Sequence, residues 1–582
     1  MTERGVSITP ASRALLTLAA IAISFAAADT YVVVLALPDM MTSVGIPTEE
    51  LQRAAPIVSG FLLGYVAVLP LIGRISDLRG RVPVLLGSLV IFAVGSVVTA
   101  AAYNLETVVT GRLIQGIGGG GLIPPTLALV ADLWPPHKRG LPLGIVGAVQ
   151  ELGSVIGPLY GAVILAIGDW RAIFWLNCAI GLVLVAAMLP LRDALPATTS
   201  PRRFDWLGTA LGVLFLAGLS LVMIAPTRFV QSVDIGRAYL PVTGDSRWLT
   251  PLALATYVLL LLFVVRIALA RHPLVAWRAW PALARETDLW GALLLTVGLG
   301  AVIVTFASAE PENGAISPDA PWLVPIALVA FVGFAVRQRR AAGPLIPRGA
   351  LSARPAWGAI VVSFFVGAAL IAALVDIPFF ARLTVYRDSQ LDAALVLVKF
   401  LVALPVGALI GGWLLRRVPA HLLTFVAMVM SAVAFLHMAT WDATSLDDQV
   451  ETLSLVLGGL GFGVAIAPVN AVLLSHTADA VHGVTSALLI VARMVGMLLG
   501  ISALTTIGLR AFYSASDKIP PVADLCGAGA TLCDSYQDAV RDAGITQLHA
   551  VFVGAAVSAL IAAVLALVLL RPSRDEAVTP AV

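Results

Sequence analysis

Charge is what this chain has least of. Only 12% of its 582 residues are Asp, Glu, Lys or Arg, about half the ~25% of an ordinary soluble domain. A soluble protein could not keep so apolar a surface in water, and that class is excluded. Histidine is scarce and scattered, seven in all. No metal-ligand cluster, nucleophile elbow or phosphate-binding loop is found, which argues against an enzyme and leaves no metal or cofactor to expect. A net charge of +2 gives no electrostatic footprint for nucleic acid. Of the three cysteines, Cys178 sits in an apolar run and reads as packing. Cys526 and Cys533 share one polar loop, and what they do depends on which side of a membrane that loop faces.

What is present is hydrophobic sequence, 59% of the chain. Apolar runs near the ~20 residues a bilayer demands recur about sixteen times, so the fold class is an all-α polytopic membrane protein. Arg4, Arg13 and Ala26-Ala27-Ala28 mimic a signal peptide. The apolar run resumes through Tyr31–Leu37, too long for a cleaved leader, so an uncleaved first span is expected. Arginines recur in alternate loops (Arg79 and Arg81, Arg139, Arg192, Arg339 and Arg340, Arg416 and Arg417). By the positive-inside rule these loops and both termini are cytoplasmic, in a multi-pass protein of the cell membrane. Loop 227–248, with Arg228, Arg237 and Arg247 outside, agrees least. The runs divide into a six-helix half (1–195), a middle insert of four helices (196–350), a second six-helix half (351–574) with an outer loop at 512–547, and a tail (575–582). Within the insert, Phe204-Asp-Trp-Leu-Gly-Thr-Ala-Leu211 resembles Thr287-Asp-Leu-Trp-Gly-Ala-Leu-Leu294. The insert therefore reads as one helix pair duplicated, structural in role and with almost no buried charge.

The stretch that organises the rest is Gly147–Gly161. It holds Glu151 inside an apolar run, with Gly153, Gly157, Pro158 and Gly161 around it. An acid at the centre of a spanning helix costs roughly 2.5–3.5 kcal/mol on insertion scales and so faces a cavity or a partner. Small residues let a neighbouring helix approach, and the proline bends the chain. At ~1.5 Å per residue, Glu151 lies about 18 Å from the cytoplasmic end of its helix, Arg493 about 16 Å and Asp29 about 24 Å. Two acids and one base at similar depth imply contact or a watery vestibule. They either form a static ion pair or leave one carboxylate free to titrate. Arg112 also lies within a span and must be paired or hydrated. Asp376, near an outer helix end, either lines an exit or is interfacial. An oxidising exterior would permit a Cys526–Cys533 disulfide; the alternative is two unpaired thiols.

Several motifs resemble those of the major facilitator superfamily. Gly73-Arg-Ile-Ser-Asp77-Leu-Arg79-Gly80-Arg81 looks like its signature loop, in which the acid can pair with basic residues or cap a neighbouring helix as a cytoplasmic latch. Gly153-x-x-x-Gly157-Pro158-x-x-Gly161 is similar to its antiporter motif, and Arg112-Leu-Ile-Gln115-Gly116 to one of its drug-exporter branch. Asp29-Thr30, with Gln150–Ser154 and Val491–Met494, resembles the mycobacterial triacylglyceride exporters within the drug:proton antiporters. The resemblance implies Asp29, Glu151 and Arg493 as a charged core and a periplasmic lipid-carrying lipoprotein as partner. Four middle helices rather than two, and a short loop at 441–451, depart from that pattern. The reading is a monomeric, proton-gradient-driven exporter of lipids or other apolar molecules, alternating access between two halves. A polyspecific multidrug:proton antiporter is the alternative, and a non-transporting scaffold or receptor a remote one.

Overall fold

A computed structural model describes residues 9–46, 51–194, 205–270, 280–307, 317–386, 390–447, 449–526 and 533–571. Tail 575–582 and the side chain of Pro158 fall outside them. Among the described residues, sixteen helices are long and apolar enough to cross a membrane; in hydrocarbon only a helix or a closed barrel satisfies its own backbone. The first half contains α1 (Pro10–Ser43), α2 (Leu51–Ala67 and Leu69–Arg79), α3 (Arg81–Ala100), α4 (Leu105–Gly120 and Ile123–Leu133), α5 (Gly140–Ile167) and α6 (Arg171–Met188). The insert contains α7 (Trp206–Ile224), α8 (Pro251–Leu269), α9 (Leu289–Ala307) and α10 (Ala320–Arg340). The second half contains α11 (Arg354–Leu383), α12 (Gln390–Leu414), α13 (Ala420–Met438), α14 (Gln449–Ser475), α15 (His482–Ser516) and α16 (Asp534–Leu569).

Local chemistry sets the boundaries. Thr9 caps α1 by accepting from Ser12 N at 3.2 Å, with Pro10 at the first position, where its missing N–H costs nothing. Asn104 and Thr107 form a capping box at the start of α4. Helix α2 breaks before Pro70 and α4 before Pro124-Pro125, since proline cannot donate to the preceding turn. Gly80, at φ +92, turns the chain from α2 into α3.

Helix α1 starts at the face that carries Arg79, Arg81, Arg139, Arg339 and Arg416, referred to below as the basic face. The halves meet along two seams that close there. In the first, α5 packs on α12 and α14: a methyl group on Gly144 would fall 2.6 Å from the Ala408 carbonyl, and one on Gly140 2.8 Å from that of Gly412. In the second, α2 packs on α15, where Gly73 leaves 2.5 Å between such a methyl and the Gly483 carbonyl.

The insert's helices pack as two separate hairpins: α7–α8 leans on α3, while α9–α10 lies against α2 and α15. Each hairpin buries a charge, where the sequence reading expects almost none. Asp205 accepts from Gly208 N (3.0 Å) at the start of α7 and from Arg266 Nη2 (2.9 Å) at the end of α8. Asp288 repeats this with Gly291 N (3.2 Å) and Arg337 Nε (2.8 Å). The similar sequences thus form the same cap and the same ion pair. Helix α15 runs to Ser516 and α16 begins at Asp534, so both ends of the stretch 512–547 are helical. Cys526 and Cys533 are joined by a disulfide between them, with Cα atoms 5.6 Å apart.

Candidate functional site

The buried charges sort into two groups rather than the expected trio. Asp29, on α1, is fully buried and pairs with Arg112 of α4 (Nη1 to Oδ2, 2.5 Å), not with Arg493. Gln115 Nε2 donates to its other oxygen at 2.9 Å and Asn177 Nδ2, from α6, at 2.6 Å. Gln115 also accepts from Arg112 at 2.8 Å and donates to Ser96 Oγ at 3.0 Å, while the guanidinium lies 4.3 Å over the Phe61 ring. Every member belongs to the first half. Such a pair, fully hydrogen-bonded away from water, holds four helices in register.

Glu151 faces differently. It lies on α5 where that helix meets the second half, half-buried, and among the described residues its side chain receives only a 3.5 Å approach from Gln150 Nε2. Arg493 of α15 is the charge whose field reaches it, too distant for an ion pair. Beside them the seam encloses a cavity lined by Leu127, Val146, Val366 and Ile466 with Gln150 and Arg493. Its volume, about 30 Å³, holds one or two waters and no lipid. The expected count of two acids to one base is therefore corrected to two acids and two bases in separate places. Asp376, half-buried two turns from the end of α11, takes no part and has no hydrogen-bond or ion-pair partner among the described residues.

The antiporter-motif glycines run along one seam. Methyl groups on Gly153, Gly157 and Gly161 would strike the Ser24 carbonyl, the Ala28 carbonyl and the Val32 side chain of α1. That spacing presses α5 onto α1 on both sides of Asp29, so the chain carrying Glu151 and the chain carrying Asp29 touch through backbone. Helix α15 packs on α11 in the same way, through Gly496 on Phe364 and Gly500 on Ala368.

At the basic face, Asp77 is fully buried and accepts from the backbone N–H groups of Gly483 (2.8 Å) and Val484 (3.0 Å), the first turn of α15. A carboxylate there meets the positive end of the helix dipole. Arg81 pairs with Asp77 and reaches Asp132 at 3.1 Å and the Asp479 carbonyl at 3.3 Å. Arg139 matters here too, though in the sequence it reads only as a loop charge. It donates to the Ala131 (2.8 Å) and Trp134 (2.9 Å) carbonyls at the end of α4 and to the Leu474 carbonyl (3.2 Å) of α14. Desolvation lowers its pKa, yet an arginine remains cationic. One guanidinium thus holds two helix C-termini, one from each half. His482 Nε2 donates to the same Leu474 carbonyl at 2.9 Å.

Asn177 carries a sequence signal of its own, as the single Asn in the apolar run of α6, since amides buried in membranes bond across helices.

Residues 19–501 match the family description Major Facilitator Superfamily. The chain is 35% identical to a triacylglyceride transporter of Mycolicibacterium hassiacum over 522 residues, covering 88% of this chain and 80% of that one. It is 34% identical to a triacylglyceride transporter of Mycobacterium tuberculosis over 542 residues, covering 89% and 88%. Among solved structures, a proton:xylose symporter superposes with a TM-score of 0.52 at 15% identity over 95% of this chain and 94% of that one. A human organic anion transporter does so with 0.51 at 15% identity over 96% and 100%. At that identity the likeness concerns the fold.

Proposed function

The chain belongs to the Major Facilitator Superfamily, and on that premise we propose that it exports a neutral, triacylglyceride-like lipid from the cell membrane, driven by the proton gradient. The observation that carries the reading is Glu151: a carboxylate without an ion pair among the described residues, at the seam between the halves, beside an apolar cavity and within the field of Arg493. Asp29 is already saturated by three donors. Glu151 is the acid free to take a proton on one side of the membrane and release it on the other. Protonation would remove its attraction to Arg493 and so let the halves change their relative tilt. The names of the relatives and the aliphatic cavity walls support a lipid cargo.

The basic face is cytoplasmic in this reading. Asp77 and Arg139 hold it shut between cycles, and the disulfide-closed α15–α16 hairpin stands on the far side, where an acceptor such as a lipoprotein would dock. Each of these two helices is about 50 Å long at ~1.5 Å per residue, against a hydrocarbon core of ~30 Å.

The test is transport in proteoliposomes with an imposed proton gradient, comparing a fluorescent triacylglyceride with a cationic dye. Gradient-dependent lipid movement that is lost in Glu151→Gln is expected. Movement of the dye alone would replace the lipid reading by a multidrug one, and full activity of Glu151→Gln would remove Glu151 as the coupling acid.

A further inference from the structure

The cavity at the seam has aliphatic walls, but four polar side chains from four helices interrupt them: Gln150 of α5, Ser363 of α11, Asn470 of α14 and Arg493 of α15. Ser363 Oγ already donates to the Leu489 carbonyl at 3.1 Å. Gln150, Asn470 and Arg493 all keep donors to spare, while the two amide oxygens can also accept. Gln150 Nε2 donates to Glu151 at 3.5 Å and keeps a second hydrogen. Asn470 Nδ2 donates one hydrogen to the Ile466 carbonyl at 2.9 Å and keeps a second. Arg493 makes no ion pair among the described residues. Glu151 neighbours the cavity but does not line it.

Donors that line an apolar chamber are costly unless something supplies acceptors. At its present size the cavity fits one or two waters, which can do so. When the halves part, the cargo replaces them. A group complementary to these donors carries acceptors and no charge, within a greasy body. A carboxylic ester answers that description. A free carboxylate or phosphate fits less well, because Glu151 beside Arg493 offsets the positive field that would attract an anion.

We propose that Gln150, Asn470 and Arg493 recognise the ester carbonyls of an acylglycerol, so that the protein selects esters over equally apolar lipids that lack a carbonyl. The inference rests on the lipid-export reading and deepens it. A site built to hydrogen-bond a substrate rejects an analogue lacking that group, because its own polar groups are then left unpaired. Apolar walls alone discriminate poorly between chains of equal length.

The experiment uses the full-length protein in proteoliposomes under a proton gradient. Three probes carry the same fluorophore and chain length: a triacylglyceride, its trialkyl ether analogue, and the free fatty acid. The expected result is ester transport about tenfold faster than ether transport or more, with the ratio falling toward one in Gln150→Leu and in Asn470→Leu. Equal rates for ester and ether in the wild type would overturn the carbonyl site and leave lipid export standing. Preference for the fatty acid would overturn it too, by making Arg493 an anion site. No movement of either glyceride, in protein shown to be folded, would overturn the export reading and this inference together. If neither variant folds, the wild-type ester-to-ether ratio decides alone.

Discussion

Asp29 and Glu151 are both acids within membrane spans, yet their surroundings give them opposite work. Asp29 accepts from Arg112, Gln115 and Asn177 and cannot shed its partner without stranding a charge. Arg112→Met should therefore destabilise the protein by about 3–5 kcal/mol, the usual cost of an uncompensated buried ion. Adding Asp29→Asn should recover much of the loss, as a thermal-unfolding series of the purified protein would reveal. Asn177→Leu, which removes one donor, should cost about 1–3 kcal/mol in the same assay. Glu151→Gln should leave the unfolding midpoint where it is and change only gradient-dependent transport. The sequence placed Asp29, Glu151 and Arg493 at similar depth, and depth is what residue counting yields. It does not give direction around the helix axis, so Arg112 could not be matched to Asp29 by counting. The two acids separate only once α4 and α6 are seen to enclose one of them.

Helices here are placed by what their small residues touch. Gly157 packs on the Ala28 carbonyl, next to Asp29. Gly157→Leu should push α1 away, disturb the Asp29 network at a distance and abolish transport, while Gly87→Leu, where nothing lies within 4 Å, should be neutral in the same flux measurement. The number and order of the spans were legible because an apolar run of bilayer length has one reading. The positions of the insert hairpins were not legible, because lipid-facing helices share one composition whichever neighbour they lean on. The duplicated Asp-x-x-Gly segments were visible in the sequence, but their ion partners were not, because Arg266 and Arg337 lie dozens of residues away and look like ordinary basic ends of spans.

The molecule as a whole is shut at its basic face by two devices of opposite sign. Asp77 sits at a helix N-terminus and Arg139 grips two helix C-termini, each complementing the local dipole. Losing one should shift the balance between closed and open by about 1–2 kcal/mol, a factor of roughly 5–30 in population. Asp77→Asn and Arg139→Gln should each broaden distances between spin labels placed on α5 and α12 across the first seam, and the double variant should do so more than either. Unchanged distance distributions would mean that the seams hold without them. The signature loop could be read from its spacing, whereas Arg139 could not, since its carbonyl partners carry no residue signature. A last consequence concerns how such a chain is made. In each insert hairpin the acid at the start of the first helix is bonded to an arginine at the end of the second, so the pair is electrically closed as soon as its second helix leaves the ribosome. Each hairpin can then be released sideways into lipid as a finished unit, without waiting for the transport core, which is how a membrane protein could gain a helix pair by duplication and keep its older parts in register.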